Sequence, residues 1–215
     1  MVDTPPTAGP QTPPTTAPAP QPAHETRRQQ IEDAASALFR ERGYAATSVR
    51  DIAHALNIQG GSLYAHVASK EDVLWSIVDR AAARFEAAAG AAERATAADS
   101  ATDRIAALVR AHVGVITSDP GEASVFVHEW RALGRERRAR IADRRDAYER
   151  RFRDAIADGM ASGEFALTDP AIAAAFLLTA LNGLATWFRR DGRLTPDRIA
   201  DHFVDLSVRT LAGAT

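Results

Sequence analysis

Ser48-Val49-Arg50-Asp51-Ile52-Ala53-His54-Ala55-Leu56-Asn57, followed at once by Gln59-Gly60-Gly61-Ser62-Leu63-Tyr64-Ala65-His66-Val67, is the most informative stretch of this chain. Ser48 and Asp51 stand at capping-box spacing, where a hydroxyl and a carboxylate satisfy the free amides that begin a helix. That helix turns Val49, Ile52, Ala53 and Leu56 inward and is over by Asn57. Gln59 to Val67 reads as a third, short helix. Upstream, Ile31, Ala34, Ala35, Leu38 and Phe39 recur at i, i+3, i+4, i+7 and i+8, an amphipathic first helix that runs to about Arg42. Gly43 follows as its C-cap, where positive φ costs nothing. Three short helices, the last two joined by a tight turn, predict a helix-turn-helix whose third helix enters the DNA major groove.

Downstream the pattern stays helical. Ser69-Lys70-Glu71-Asp72 opens a fourth helix expected to reach about Ala88, and the alanine-rich stretch from Gly90 to Ser100 is expected to interrupt it. Further helices are expected at about 101–118, 122–133, 135–161, 170–190 and 196–212. Asp119-Pro120-Gly121 and Ser162-Gly163-Glu164 break the pattern, while Asp169-Pro170 and Thr195-Pro196 place a cap residue before proline at the first helical position. No segment alternates with period two long enough for a strand. The expected fold is all-α with about nine helices. The expected division is a tail at 1–23, a DNA-binding unit at 24–70 and a ligand-binding and dimerisation unit at 71–215.

Eight of the chain's eleven prolines fall between Val2 and Ala23, which predicts a disordered tail, and the absence of Lys and Arg there argues against a DNA-grasping arm. Hydrophobic residues make up 46% of the 215, enough for a sizeable core, and no apolar run reads as long enough to cross a bilayer. There are no cysteines, which excludes disulfides and thiolate metal sites and fits a cytoplasmic location. The N-terminus lacks the basic and apolar regions of a secretory signal. Proteins that coat nucleic acid nonspecifically are usually basic overall, so a net charge of −2 weakens a DNA-binding reading without removing it, because a sequence-specific regulator can manage with a small local patch. Of the 26 basic residues only Lys70 is lysine, which suggests that a compact point charge is needed there.

Ala45 to Ala53, Gly61-Ser62-Leu63-Tyr64-Ala65-His66-Val67 and Ser69-Lys70-Glu71-Asp72-Val73-Leu74 together closely resemble the DNA-binding domain of TetR-family regulators. The resemblance implies a core of Ile52, Ala53, Leu56, Ile58 and Leu63. It implies phosphate contacts from Thr47, Tyr64 and Lys70, base readout from Gln59, Ser62 and His66, and a place for Arg50 in the same DNA-binding set. Gln59 could instead cap the third helix, Tyr64 could pack on the first, and His66 could be a solvated surface residue. Two positions depart from the family pattern. Gly60 stands where many relatives carry a cation, and Val67 where phenylalanine is usual.

In the second half, Ile172, Phe176, Thr179, Ala180, Gly183, Leu184 and Trp187 form one apolar stripe, and Ile199, Phe203, Leu206, Val208 and Leu211 a second. By resemblance these stripes pair with a second copy in a four-helix interface; an intrachain core is the alternative. Phe126 to Leu133 and Arg144 to Phe152 resemble the TetR subgroup that answers to coenzyme A thioesters. That resemblance assigns Phe126, Trp130, Phe152, Phe176 and Trp187 to an acyl pocket and Arg131, Arg135 or Arg145 to phosphates, against the alternative of plain core and a solvated arginine face.

The function implied is a homodimeric repressor on a palindromic operator, released by a small effector such as an acyl-coenzyme A. The mechanism implied is a pendulum motion of the fourth helix. A drug or antibiotic sensor and a helical adaptor without DNA remain the alternatives. No metal-bundle Glu-x-x-His pair, serine elbow, phosphate-binding glycine loop or cysteine nucleophile suggests an enzyme, and no cofactor is implied.

Overall fold

The computed structural model describes residues 27–166 and 168–213. The proline-rich segment lies outside the described residues. The elements, in order, are α1 (Arg27–Arg42), α2 (Val49–Ala55), α3 (Gly60–Leu63), α4 (Lys70–Ala95), α5 (Ala101–Ser118), α6 (Pro120–His128), a 3-10 turn (Trp130–Ala132), α7 (Arg135–Ser162), α8 (Pro170–Trp187) and α9 (Pro196–Ala212). Among the described residues there is no strand.

Local chemistry sets the small N-terminal unit. Gly43, at φ +83°, ends α1, with its amide donating to Phe39 O at 2.9 Å. Ser48 Oγ accepts from Asp51 N, and Asp51 Oδ2 accepts from Ser48 N, so the expected capping box is present. Asn57 takes the left-handed conformation at φ +54°. Ile58 N then donates to Ala53 O and Asn57 N to His54 O, each at 3.0 Å, the Schellman pair that reverses the chain between α2 and α3. Ile31, Phe39, Ile52, Ala53, Leu63 and Val67 close the small core, and Val73 and Leu74 of α4 complete it.

Four boundaries differ from expectation. Helix α3 is one turn followed by turn residues through His66. Helix α4 passes straight through Gly90 to Ala95. Alanine's helix propensity offsets the roughly 1 kcal/mol cost of one glycine, and Arg144–Glu86 and Arg151–Glu93 pairs hold that half of α4 to α7. Helix α6 ends at His128, and the chain tightens into the 3-10 turn, closed by Ala132 N to Glu129 O at 2.9 Å. Helix α8 stops at Trp187, and Phe188 turns into the core on an extended backbone.

The larger unit packs α5 between α4, α7 and α9, with α8 laid across α5, α6 and α7. Where α7 ends, Phe165 folds back onto Gly159, whose own side of the helix has no room for a Cβ beside that ring. Gly163, at φ +80°, makes this reversal possible. The same turn delivers Glu164 to the start of α5, where it accepts from Ala101 N and Thr102 N. Helix α8 meets the length and composition of a short membrane span, with mean hydropathy 1.4 over 18 residues, a point the absence of long apolar runs had not led us to expect. A third of that helix is buried, and it packs against α5, α6, α7 and α9.

Candidate DNA interface and effector cavity

The turn from α2 to α3 displays a short polar ridge. Gln59, Ser62, Tyr64 and His66 are all exposed, and Tyr64 keeps 57% of its surface in solvent. Gln59 occupies the N-cap of α3 but its side chain makes no capping hydrogen bond, so the amide is left to point outward. A different tyrosine, Tyr44, packs on α1, edge-on to Phe39 at 5.2 Å. Arg50, exposed on the first turn of α2, shares the outer surface of this unit.

Two of the expected phosphate ligands are turned inward. Thr47 is 2% exposed, and its hydroxyl donates to Gly43 O at 2.9 Å and Leu38 O at 3.5 Å, which closes the link between α1 and α2. The Lys70 ammonium donates to Tyr44 O at 2.9 Å and Thr47 O at 2.8 Å and stands 4.1 Å over the Tyr44 ring. Lys70 is thus a staple between the start of α4 and the α1–α2 turn. A compact ammonium can meet two converging carbonyls, and a planar guanidinium cannot do so as readily. That is a structural reason for the single lysine.

About 350 Å³ of cavity opens between α4, α5, α6, α7 and α8. Ala82 and Phe85 of α4, Phe126 of α6, Tyr148 of α7 and Leu178 of α8 supply its apolar wall. Phe85 stacks on Phe126 at 5.1 Å and meets Tyr148 edge-on at 5.8 Å. Trp130 and Arg131, set by the 3-10 turn, stand at the border between this cavity and an outer groove lined by Arg131, Arg135 and Arg138. The Arg145 guanidinium lies 5.0 Å over Phe126 and 5.2 Å over Trp130, and Arg131 lies 4.7 Å over Trp130. Burial, and then the neighbouring Arg131 cation, pull the Arg145 pKa below its ordinary value. An anion in this mouth would relieve both costs.

His112, 3% exposed, faces the same space, with Nδ1 3.1 Å from the Tyr148 hydroxyl. Burial, with the Arg145 cation second, pushes its pKa down to about 3 and keeps the ring neutral. Asn182 stands beside the ring and favours its charged form, without meeting Nε2 at hydrogen-bonding geometry. Burial likewise raises the Tyr148 pKa.

Of the expected pocket residues, Phe126, Trp130 and Arg131 line the cavity. Phe152 does not; it is fully buried behind Tyr148 at 5.7 Å, in the core. Phe176 and Trp187 face away from it, 59% and 53% exposed. Helical phase explains the error. Ala175, Leu178, Thr179 and Asn182 carry the cavity side of α8, whereas Ile172, Phe176, Gly183 and Trp187 recur at intervals of four, seven and four, one and two helical turns, along another side. Leu206 of α9 is also exposed, at 62%, but Leu184, Ile199 and Leu211 leave the two expected stripes and are buried within the chain. Sequence reasoning missed Phe85, His112, Tyr148 and Asn182, each of which carries only the apolar or polar pattern of an ordinary helix. Among the described residues no group of three or more His, Asp or Glu side chains is placed to hold a metal ion.

An ion cluster joins the two units. Arg80 of α4 pairs with Glu32 of α1 and with Glu122 of α6 at 2.9 Å, and Arg84 pairs with the same Glu122. Glu32 and Glu122 are buried, and burial raises the Glu122 pKa although both arginines oppose it. Beside it, Asp72 meets Arg28 of α1 and Arg137 of α7, each at 3.4 Å.

Comparison with known proteins gives a consistent family signature. Residues 31–77 match the family described as bacterial regulatory proteins of the tetR family, and residues 98–211 match the tetracyclin repressor-like C-terminal domain. The chain is 29% identical over 206 residues to the HTH-type transcriptional repressor KstR2 of Rhodococcus jostii, covering 90% of this chain and 97% of that one. A solved tetR-family regulatory protein from Rhodococcus RHA1 superposes with a TM-score of 0.78 at 30% identity, covering 87% of this chain and 98% of that one. AibR, solved in complex with isovaleryl coenzyme A and operator DNA, superposes with a TM-score of 0.73 at 29% identity, covering 84% of this chain and 97% of that one.

Proposed function

This chain belongs to the TetR family of bacterial regulators, and from that premise we propose a dimeric repressor whose operator affinity is set by a coenzyme A thioester. The observation that carries the reading is the reach of α4. Its first turns, through Val73 and Leu74, belong to the core of the helix-turn-helix unit, and its middle, through Ala82, Phe85 and Glu86, lines the cavity. One rigid helix of about 39 Å therefore touches both sites.

Gln59, Ser62 and His66 read base edges in this account, while Tyr64 and Arg50 hold phosphates. Thr47 and Lys70 act indirectly, by fixing the turn that presents this ridge. The exposed face of Ile172, Phe176, Trp187 and Leu206 pairs with a second copy, and two-fold symmetry then calls for half-sites about one helical turn, ~34–36 Å, apart. The acyl group enters the aromatic cavity, and the coenzyme phosphates meet Arg131, Arg135, Arg138 and Arg145. That arginine rim opposes a cationic drug as the effector. As a protein that acts on bacterial DNA, it would work in the cytoplasm.

Thioester binding would displace Phe85 or Phe126, and with them α4 and α6. The Arg80 and Arg84 pairs make those helices move with Glu122, and Glu32 passes the displacement to α1. The two recognition turns would then stand at a spacing the groove does not match, and the DNA-bound population falls. A thermal-shift panel of coenzyme A thioesters, free fatty acids and cationic drugs tests the effector class. Thioesters are expected to raise the melting temperature, and stabilisation by the cationic drugs alone would overturn the assignment.

A further inference from the structure

Helix α4 carries Asp72, Asp79, Glu86 and Glu93 at intervals of seven, and α7 carries Arg137, Arg144 and Arg151 at the same interval. Seven residues are close to two helical turns, so each row keeps to one side of its helix. The two rows face each other. Arg137 pairs with Asp72 at 3.4 Å, Arg144 with Asp79 at 2.8 Å and with Glu86 at 2.6 Å, and Arg151 with Glu93. Partner numbers rise together, so the helices run parallel, and the ladder follows them for about 32 Å. Its middle rung, Glu86 and Arg144, lines the cavity, while Glu93 and Arg151 line a separate groove.

The register of this ladder is mixed. The Asp72 and Asp79 pairs join residues 65 apart in the chain, the Glu86 and Glu93 pairs residues 58 apart. Three arginines thus stand among four acids spaced about 10.5 Å along α4, and each has one on either side. For Arg137 these are Asp72 and Asp79, for Arg144 Asp79 and Glu86, for Arg151 Glu86 and Glu93. Arg144 holds both of its neighbours at once. We propose that the ladder is a two-register coupling, along which α4 shifts against α7 as the arginines change partners. At an offset of 65 the arginines take Asp72, Asp79 and Glu86; at an offset of 58 they take Asp79, Glu86 and Glu93. A guanidinium on a long stem makes that exchange over a helix shift much shorter than a heptad. Every rung is partly exposed, so each is individually weak and exchangeable. Asp79 and Glu86 serve both registers. Asp72 serves only the first and Glu93 only the second, so the two end acids bias α4 in opposite senses. An occupant of the cavity bears on the middle rung, and the shift reaches the DNA-binding unit through Val73 and Leu74. The inference deepens the reading of α4 as the link between cavity and groove, and rests on it only where operator affinity is measured.

The test uses the full-length protein without effector. The chain has no cysteine, so nitroxide labels can be placed at Ala91→Cys on α4 and Ala139→Cys on α7, both exposed, and their separation read by pulsed electron resonance. Glu93→Gln favours the offset of 65, in which Ala91 stands further along the pair from Ala139, and is expected to lengthen the distance by about 1–2 Å. Neutralising the other end, Glu71→Gln with Asp72→Asn, is expected to shorten it by a similar amount. Glu71 is included because it lies 3.7 Å from Arg137. The combined variant is expected to return close to the wild-type distance. Affinity for the upstream DNA is expected to move about threefold in opposite directions at the two ends. Arg28→Gln is the reference for the second variant, because Asp72 also meets Arg28. Distances that stay put, or distances or affinities that move the same way at both ends, overturn the inference and make the ladder a fixed staple. Opposite distance shifts in a protein that binds no operator leave the ladder standing and remove the repressor reading.

Discussion

The helix-turn-helix unit and the effector cavity are built on opposite principles. In the first, the groups that matter lie within about 45 residues and are positioned by short-range devices: the Ser48–Asp51 box, the left-handed Asn57 and the Lys70 staple. In the second, five helices far apart in sequence each contribute side chains, and nothing local distinguishes those from their core neighbours. The comparison separates residues that hold a surface in place from residues that face a partner, and it assigns them differently in the two halves.

The largest contrast is expected at the aromatic residues of the sensor half. Phe152→Ala should cost about 3–5 kcal/mol of stability in urea unfolding, because it empties a fully buried site. Phe176→Ala should leave the stability of a single chain nearly unchanged and weaken self-association in sedimentation velocity. A stable Phe152→Ala variant with lost effector binding would return that ring to the cavity.

Next in size is the junction between the halves. Arg80→Met should destabilise by about 1–3 kcal/mol, since the buried Glu32 and Glu122 carboxylates each lose one of two cations and keep only Arg28 and Arg84, and should also weaken the coupling between effector and DNA. Unfolding midpoints and paired titrations report the two effects separately.

Within the DNA-binding half the expected effects are no larger and split cleanly. Lys70→Ala should lower stability by about 1–3 kcal/mol, because two buried carbonyls lose a charged donor. Tyr64→Ala should leave the melting curve in place and weaken operator binding about tenfold. Equal loss of stability in both variants would mean that Tyr64, too, is part of the scaffold.

The smallest expected effect is acid sensitivity. The folded pKa of His112, about 3, lies below the ordinary 6.5, so the unfolded chain takes up a proton first as pH falls. Stability from this group is therefore complete above pH 6.5 and is lost progressively toward pH 3, amounting to about 1 kcal/mol by roughly pH 5.5. His112→Phe should flatten that part of the stability profile, measured as melting temperature against pH.

How much of this was legible in the sequence follows the same divide. The capping box, the Gly43 stop and the apolar phase of α1 and α2 are written within a few residues of where they act, and they appear where expected. The inward turn of Thr47 and Lys70 was not legible, because a polar residue at a turn has the same pattern whether it meets a phosphate or a carbonyl. In the second half the helices were legible from periodicity, but α4 ran on through Gly90 because contacts with α7 outweigh a local weak point. Phe176 and Trp187 fit both the expected interface stripe and the expected pocket, since a helix apolar on two faces does not state which face meets the cavity, and the structure leaves both rings exposed.

Fluorescence anisotropy of the protein on its own upstream DNA and on a scrambled duplex, at fixed salt, with and without saturating thioester, joins both halves in one experiment. The expected result is selective binding to the upstream fragment that falls at least tenfold when thioester is added, with the matching loss of thioester affinity when DNA is bound. Equal affinity for both duplexes, or thioester binding that leaves operator affinity unchanged, would contradict a repressor in which α4 connects the cavity to the groove.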